Sequence, residues 1–193
     1  LMASSANIYG NCEASPIAET QLPAPVNHYA MSKLAMEYMA RNYLDRLSIF
    51  FARPFNYTGV GQSESFVIPK LVSHFARGAD VVELGNIDVE REFNDVRTIC
   101  EAYLQLLTKG VRGECYNICS GVPVTLRAVI ALLSELTGKT LEIRVNPAFV
   151  RASEVHRLCG DPTKLEAAVG ALAHPGLSQS LKWMLDSYQT LAA

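Results

Sequence analysis

Strands alternating with helices predict an α/β protein, and three observations carry that prediction. Apolar runs of strand length, such as residues 47–52, lie between segments whose apolar residues recur at helical spacing, such as 29–43 and 95–107. The 47–52 run is continuous rather than alternating, as in a parallel strand covered on both faces. Helix-length segments close at glycines, at Gly78, near Gly110 and at Gly138.

Taken in order, Leu1-Met2-Ala3 reads as the end of a buried strand that runs into a turn at Ser4-Ser5. Residues 29–43 read as a helix with Ala30, Leu34, Met36, Ala40, Tyr43 and Leu44 available for burial, and the strand 47–52 follows, ended by Pro54. Residues 66–77 form a helix and 80–84 a short strand. Residues 95–107 give a strong helix, followed by a strand at 114–119. A helix over 125–136 begins at the hydroxyl of Thr125, and 141–145 alternates like a strand. Asp161-Pro162-Thr163-Lys164 opens a helix reaching residue 168, and 177–191 makes the last. There are no internal repeats, low-complexity tracts or clear linkers.

The 193 residues suffice for one domain of ordinary size or a domain and a half, and 49% hydrophobic residues supply a core. A net charge of −2 without a long basic run argues against nucleic acid as a partner. No 18-residue apolar stretch or signal-peptide pattern is visible, so a cytoplasmic protein with no membrane attachment is expected. The five cysteines are irregularly spaced and read as reduced thiols. Cys115 and Cys119 share a strand face with no second ligand pair, and the four histidines are scattered, so no metal site is expected.

The chemistry is concentrated in Asn27-His28-Tyr29-Ala30-Met31-Ser32-Lys33, where four-residue spacing sets a phenol beside an ammonium on one helix face. A phenol that titrates near 10 is a sluggish acid at neutrality, and a neighbouring cation favours its ionised form. Taken alone, the pair reads equally as two amphipathic residues on an exposed face. Upstream, Ser4-Ser5-Ala6-Asn7-Ile8-Tyr9-Gly10 places hydroxyls at a strand end, with Gly10 allowing close backbone approach.

These two stretches, together with Ala52-Arg53-Pro54-Phe55-Asn56, resemble the extended short-chain dehydrogenase/reductase family of nucleotide-sugar epimerases, dehydratases and reductases. The resemblance covers nearly the whole chain. Later segments match in order: Phe66-Val67-Ile68, Gly85-Asn86, Arg91-Glu92-Phe93-Asn94-Asp95-Val96, Tyr116-Asn117-Ile118-Cys119-Ser120-Gly121 and Arg151-Ala152-Ser153-Glu154-Val155. It implies the C-terminal part of a doubly wound, Rossmann-like parallel sheet, residues 1–57 re-entered at 95–120. A smaller α/β substrate-binding lobe would comprise 58–94 and 121–193.

By the same resemblance, Tyr29 exchanges a proton with a sugar oxygen, Lys33 lowers its pKa and holds the nicotinamide ribose, and Ser5 hydrogen-bonds the reacting oxygen, with Ser4 the competing hydroxyl. Pro54 lies beside the nicotinamide of NAD or NADP. Asn56 meets the sugar nucleotide or makes an Asx turn, while Arg53 serves the site or forms a structural ion pair. Phe66, Val67 and Leu84 border base or sugar or fill a core. Arg91, at a helix entry, and Arg151 suit a diphosphate through their planar forks, and Glu154 suits ribose hydroxyls, although Arg151 and Glu154 equally fit a surface ion pair. A homodimer through the helix bearing Tyr29 is implied, with Met31, Met36 and Met39 either in that interface or in the core.

Two departures from the family pattern bear on function. The dinucleotide-binding Gly-rich turn has no counterpart here, because Gly59-Val60-Gly61 does not open a helix within a βαβ unit. That turn, with roughly a hundred residues of βα units on the ~30-residue scale of each, is expected ahead of residue 1. At the position of the dehydratases' proton-abstracting Glu stands Asn7, and an amide is no carboxylate base, so 4,6-dehydration is disfavoured. The stretch from Arg53 to Gln62 is most similar to the GDP-4-keto-6-deoxy-D-mannose reductase branch. The expected activity is therefore reduction of a GDP-4-keto-6-deoxyhexose with NAD(P)H. A nucleotide-sugar 4-epimerase with bound NAD is the alternative, and a catalytically inactive binding or assembly module the reading from another class.

Overall fold

The computed structural model describes residues 1–149 and 157–191, with side chains described to residue 188. A three-stranded parallel sheet organises the first half: β1 (Met2–Ala3), β2 (Phe51–Pro54) and β7 (Cys115–Ile118), in the order β1-β2-β7. Its register aligns Met2 with Phe51 and Phe51 with Cys115. Because side chains alternate along a strand, Phe51 and Cys115 face one side and Ala52 and Tyr116 the other.

Helix α1 (His28–Arg41) covers the first face, where Ala40 packs with Phe51 and Cys115. Helices α3 (Val96–Lys109) and α5 (Thr163–Val169) cover the second, burying Ile99, Ala102, Leu106, Leu165 and Val169 against Phe50, Ala52, Tyr116 and Ile118. The position of α5 departs from the expected division of the chain, since residues 163–169 fall within the stretch assigned to the substrate lobe.

A second core gathers helices α2 (Val67–Arg77), α4 (Leu126–Thr137) and α6 (Leu177–Leu191) around the strand β4 (Val81–Leu84), which pairs in parallel with β9 (Glu142–Val145). Leu71, Val72, Phe75, Val129, Leu133 and Leu181 are completely buried there. Short strands complete the chain. β3 (Tyr57–Thr58) pairs with β6 (Asn94–Asp95), while β5 (Glu90–Arg91) lies between β8 (Val124–Thr125) and β10 (Arg157–Leu158).

Local chemistry explains the element ends. The Asn27 side chain accepts from the Ala30 N–H to start α1, and Thr125 does the same for α4 from Ala128. Gly78 and Gly138 close α2 and α4 in the left-handed conformation. Two expectations fail. Residues 47–50 are not strand, because the chain leaving α1 is still turning, with the Leu47 N–H on the Tyr43 carbonyl and the Ile49 N–H on that of Leu47. Arg91 is not at a helix entry: it lies in β5, and α3 begins only after Asp95.

Asp95 caps α3 by accepting from the Arg97 N–H at 2.9 Å, and also accepts from the Arg97 guanidinium and from Ser180 Oγ at 2.6 Å. Arg97 in turn lies 4.0 Å over the Trp183 ring, joining α3 to α6. Burial opposes the charge on Asp95, but these hydrogen bonds outweigh it and hold its pKa below the ordinary carboxylate value. The stability this confers is present above the unfolded-state pKa, about 3.9, and is lost as pH falls through the lower folded value. Asp95→Asn is therefore expected to flatten the loss of melting temperature on acidification below about pH 4. Parallel melting curves for the two proteins across that range would count against it.

Candidate active site

The C-terminal end of β1 continues into a 3-10 turn, Ala6–Tyr9, against which α1 packs. Gly10 closes this turn at φ 62°, where a Cβ would lie 1.9 Å from the Ala24 carbonyl oxygen, so both conformation and space require glycine. Ser5 Oγ caps the turn by accepting from the Asn7 N–H at 3.2 Å. Among the described residues no acceptor takes the Ser5 proton, which leaves it available to a ligand oxygen. Ser4 is buried with an unpartnered hydroxyl, and Asn7 is exposed.

Lys33 reaches from α1 to the same strand end, donating from Nζ to the Ala3 carbonyl at 2.9 Å. Its ammonium also lies 5.8 Å from the centre of the Tyr29 ring, and Tyr29 is 52% exposed. The structure thus brings Tyr29, Lys33 and the Ser4-Ser5 hydroxyls to one edge of the parallel sheet. An ammonium has three protons, so Lys33 retains two donors after its bond to Ala3.

Pro54 ends β2 at that edge, in register with Ile118. Asn56 follows, half-buried, its carbonyl accepting from the Asn94 N–H at 2.9 Å and from Asn94 Nδ2 at 3.1 Å. Phe66 is exposed at the start of α2, and the helix there has no side-chain cap. Pro69 has no N–H, so the Val67 and Ile68 amides are the orphan donors of that first turn. Val67 packs partly on the second core. Arg91 is half-buried in β5, with Nη1 on the Glu90 carbonyl at 2.8 Å. Leu84 is a correction: its side chain is 3% exposed within the second core, because the alternation of β4 turns it inward, and it has no side-chain surface for a base. Arg151 and Glu154 lie outside the described residues.

Arg53 proves to be an ion-pair residue. Its guanidinium grips Glu37 of α1 through Nε at 2.9 Å and Nη2 at 2.7 Å, both side chains buried, and its Nη1 donates to Tyr9 Oη at 2.9 Å. Burial opposes the Arg53 charge, but the hydrogen bonds to Glu37 raise its pKa still further. Tyr9 donates to Asn117 Oδ1 at 2.7 Å. Burial pushes the Tyr9 hydroxyl up to about 12 against the opposing influence of Arg53, so it remains a neutral donor.

Sequence reasoning also missed Glu92, which is 1% exposed. Its Oε2 accepts from the Ser120 N–H at 2.6 Å, Ser120 Oγ at 3.0 Å, the Gly121 N–H at 3.3 Å and Asn94 Nδ2 at 3.3 Å, and its Oε1 from the Gly160 N–H at 2.6 Å. One carboxylate therefore ties the stretch beside Arg91 to the loop after β7 and to the chain leaving β10. A carboxylate immediately after a candidate phosphate-binding arginine was the available signal. Burial, reinforced by Glu92, raises the thiol pKa values of Cys119 and Cys159, which keeps both protonated. Among the described residues no cluster of three or more metal-ligating side chains occurs, and no helix is long and apolar enough to cross a membrane. An open hollow of about 910 Å³ between α2, α4 and α6 is lined by Arg77, Glu135, Lys139, Lys182 and neighbours. None of the candidate site residues lines it.

A model of GDP-mannose 4,6-dehydratase matches residues 1–182. The chain belongs to this family. Two curated relatives are GDP-6-deoxy-D-talose 4-dehydrogenase of Aggregatibacter actinomycetemcomitans, 38% identical over 170 residues, and GDP-6-deoxy-D-mannose reductase of Pseudomonas aeruginosa, 37% identical over 199. The alignments cover 88% and 98% of this chain, but the chain spans only 58% and 66% of those proteins. Among solved structures, RMD from Pseudomonas aeruginosa complexed with NADPH superposes with a TM-score of 0.92 at 36% identity, over 98% of this chain and 66% of that one. An epimerase candidate from Burkholderia cenocepacia J2315 gives a TM-score of 0.95 at 50% identity, over 97% and 62%. These relatives bear out the expected Rossmann-like α/β class for this GDP-mannose 4,6-dehydratase family member.

Proposed function

We propose that this chain acts in a nucleotide-sugar oxidoreductase that reduces the C4 keto group of a GDP-4-keto-6-deoxyhexose with NAD(P)H. The observation that carries the reading is the Lys33 bond to the Ala3 carbonyl, two residues before Ser5, from an ammonium that also lies 5.8 Å from the Tyr29 ring. Relatives named as a GDP-sugar reductase and a GDP-sugar dehydrogenase support the substrate class.

The residues present fit a nicotinamide nucleotide at this edge: Lys33 has donors left for ribose hydroxyls and Tyr29 is exposed, whereas Pro54 is buried at the end of β2 and the expected contact of its ring with the nicotinamide is not available. When bound, that nucleotide supplies the hydride. Tyr29 gives its phenolic proton to the C4 oxygen, and Ser5 donates a hydrogen bond to the same oxygen as negative charge develops. Phe66 and the Val67 amide flank base or sugar, Asn56 contacts the sugar nucleotide, and Arg91 meets the diphosphate, with Arg151 and Glu154 assigned to diphosphate and ribose. Asn7, a neutral amide, gives no base for dehydration. A cytoplasmic homodimer completes the proposal; Met31 and Met39, both exposed on α1, give that helix an apolar face for a second copy.

The 50% identical epimerase candidate favours one second reading, 4-epimerisation through the same Tyr29 and Lys33. Incubation of the full-length protein with a GDP-4-keto-6-deoxyhexose and NADPH separates the two. Reduction consumes one NADPH for each sugar converted. Interconversion of saturated epimers without net cofactor use selects the epimerase, and calorimetry showing neither NADPH nor GDP-sugar binding discards both in favour of an assembly module.

A further inference from the structure

We propose that Glu37, Arg53 and Tyr9 form a positioning network that sets the height and rotation of Tyr29 and Lys33 relative to Ser5. The inference rests on the catalytic assignment of those three residues under the proposed function. Tyr29, Lys33 and Glu37 stand at four-residue intervals and so form one row along α1. Along that row exposure falls from 52% at Tyr29, through a half-buried Lys33, to 2% at Glu37. The row runs from the cleft into the interior, and its inner end is a carboxylate.

Few side chains of α1 are buried deeply enough to fix its rotation by apolar packing. Its only fully buried residues are Ala30, Glu37 and Ala40, while Tyr38 and Met39 are 63% and 67% exposed. Two alanines bury little area; Leu34 packs partly on a neighbouring core, and Arg41 holds the far end of the helix through the Gly113 carbonyl and the Phe51 ring, so Glu37 is the one buried polar anchor between them. A planar guanidinium fork on a carboxylate holds one setting, because both of its bonds must align together.

Arg53 makes that fork with Glu37 and spends a third nitrogen on Tyr9. Tyr9 ends the turn that Ser5 begins, and its hydroxyl continues to Asn117 of β7. The Asn117 amide goes on to the Ile17 carbonyl at 2.8 Å, and its N–H to Glu19 Oε1 at 2.7 Å. A single chain of hydrogen bonds thus connects the helix that presents the acid, the turn that presents the hydroxyl, and two sheet strands. A misplacement of about 1 Å in a reacting group is enough to cost about 10²-fold in rate.

A purely stabilising ion pair has a different signature, since well-packed apolar residues replace such a pair at little cost in stability. The double variant Glu37→Met/Arg53→Met therefore separates positioning from stability. Turnover of a GDP-4-keto-6-deoxyhexose with NADPH, thermal melting, and NMR of reductively ¹³C-methylated lysines, with Lys33→Arg to assign the Lys33 signal, are measured on the full-length protein. The expected result is melting close to wild type, kcat lowered about 10- to 100-fold with KM changed by less than about twofold, and a shifted Lys33 resonance. A folded double variant that keeps kcat within about twofold of wild type overturns the network. If the full-length wild-type protein shows no turnover, the proposed function fails on its own account, and the Lys33 resonance then decides: an unmoved signal overturns the network and a moved one supports it. If the double variant does not fold, Tyr9→Phe takes its place under the same criteria, with a severalfold loss of kcat at constant KM expected.

Discussion

Tyr29→Phe is expected to lower kcat for keto-sugar reduction about 10²- to 10⁴-fold while leaving GDP-sugar affinity within about twofold. The substitution removes one oxygen from an exposed ring and leaves the helix row intact, because Lys33 is held by the Ala3 carbonyl and Glu37 by Arg53. Stability should therefore change little. Under the proposed function the loss belongs to kcat, because Tyr29 would give its proton as charge builds on the C4 oxygen while other residues hold the diphosphate and base. Steady-state kinetics with calorimetry of GDP-sugar binding provide the check. A variant that retains more than about a tenth of wild-type kcat would transfer the acid role to another group.

The largest stability effect is expected at Glu92→Ala, a loss of at least about 4 kcal/mol, set against a whole-domain stability of about 5–15 kcal/mol. Glu92 accepts five hydrogen bonds from donors on three separate stretches, and deleting it leaves the buried Gly160 N–H and the part-buried Ser120 and Gly121 N–H groups without acceptors. Each stranded donor costs about 1–3 kcal/mol, and the total is less than their sum because the loops relax. Glu92→Gln preserves the shape but turns an NH₂ toward donors, so an intermediate loss is expected. Urea denaturation at neutral pH reads both. A midpoint for Glu92→Ala within error of wild type would show that the loops find other acceptors.

What the sequence made legible was local. The Tyr29 to Lys33 spacing, the Thr125 cap and the closures at Gly78 and Gly138 are settled within a few residues, and each occurs as expected. The two-residue strands were not legible, because β5 exists only through partners at 124–125 and 157–158. Arg91 consequently read as a helix entry when it is a strand residue. Arg53 stood between two roles until its partner was visible, and that partner, Glu37, lies on another element. Leu84 stood between bordering a base and filling a core, because nothing in five residues of strand indicates which face the second core will occupy. Glu37 and Glu92 were overlooked for a related reason: acidic residues are usually solvated, and only distant donors reveal these two as interior.

The order in which the chain visits its two cores constrains how it acquires them. Phe51 pairs with Cys115, and between them the chain passes through α2 and β4, whose own core also needs α4 and α6 from beyond Cys115. Neither core can be completed from a contiguous stretch. The sheet must wait for residues that follow the first part of the second core, and that core must wait for residues that follow the sheet. Early folding is thus burdened with long loop closures, and partial collapse leaves apolar surface of both cores exposed together. The cores should rise and fall in one cooperative transition, and nascent chains that end between β4 and β7 should be the most prone to aggregate.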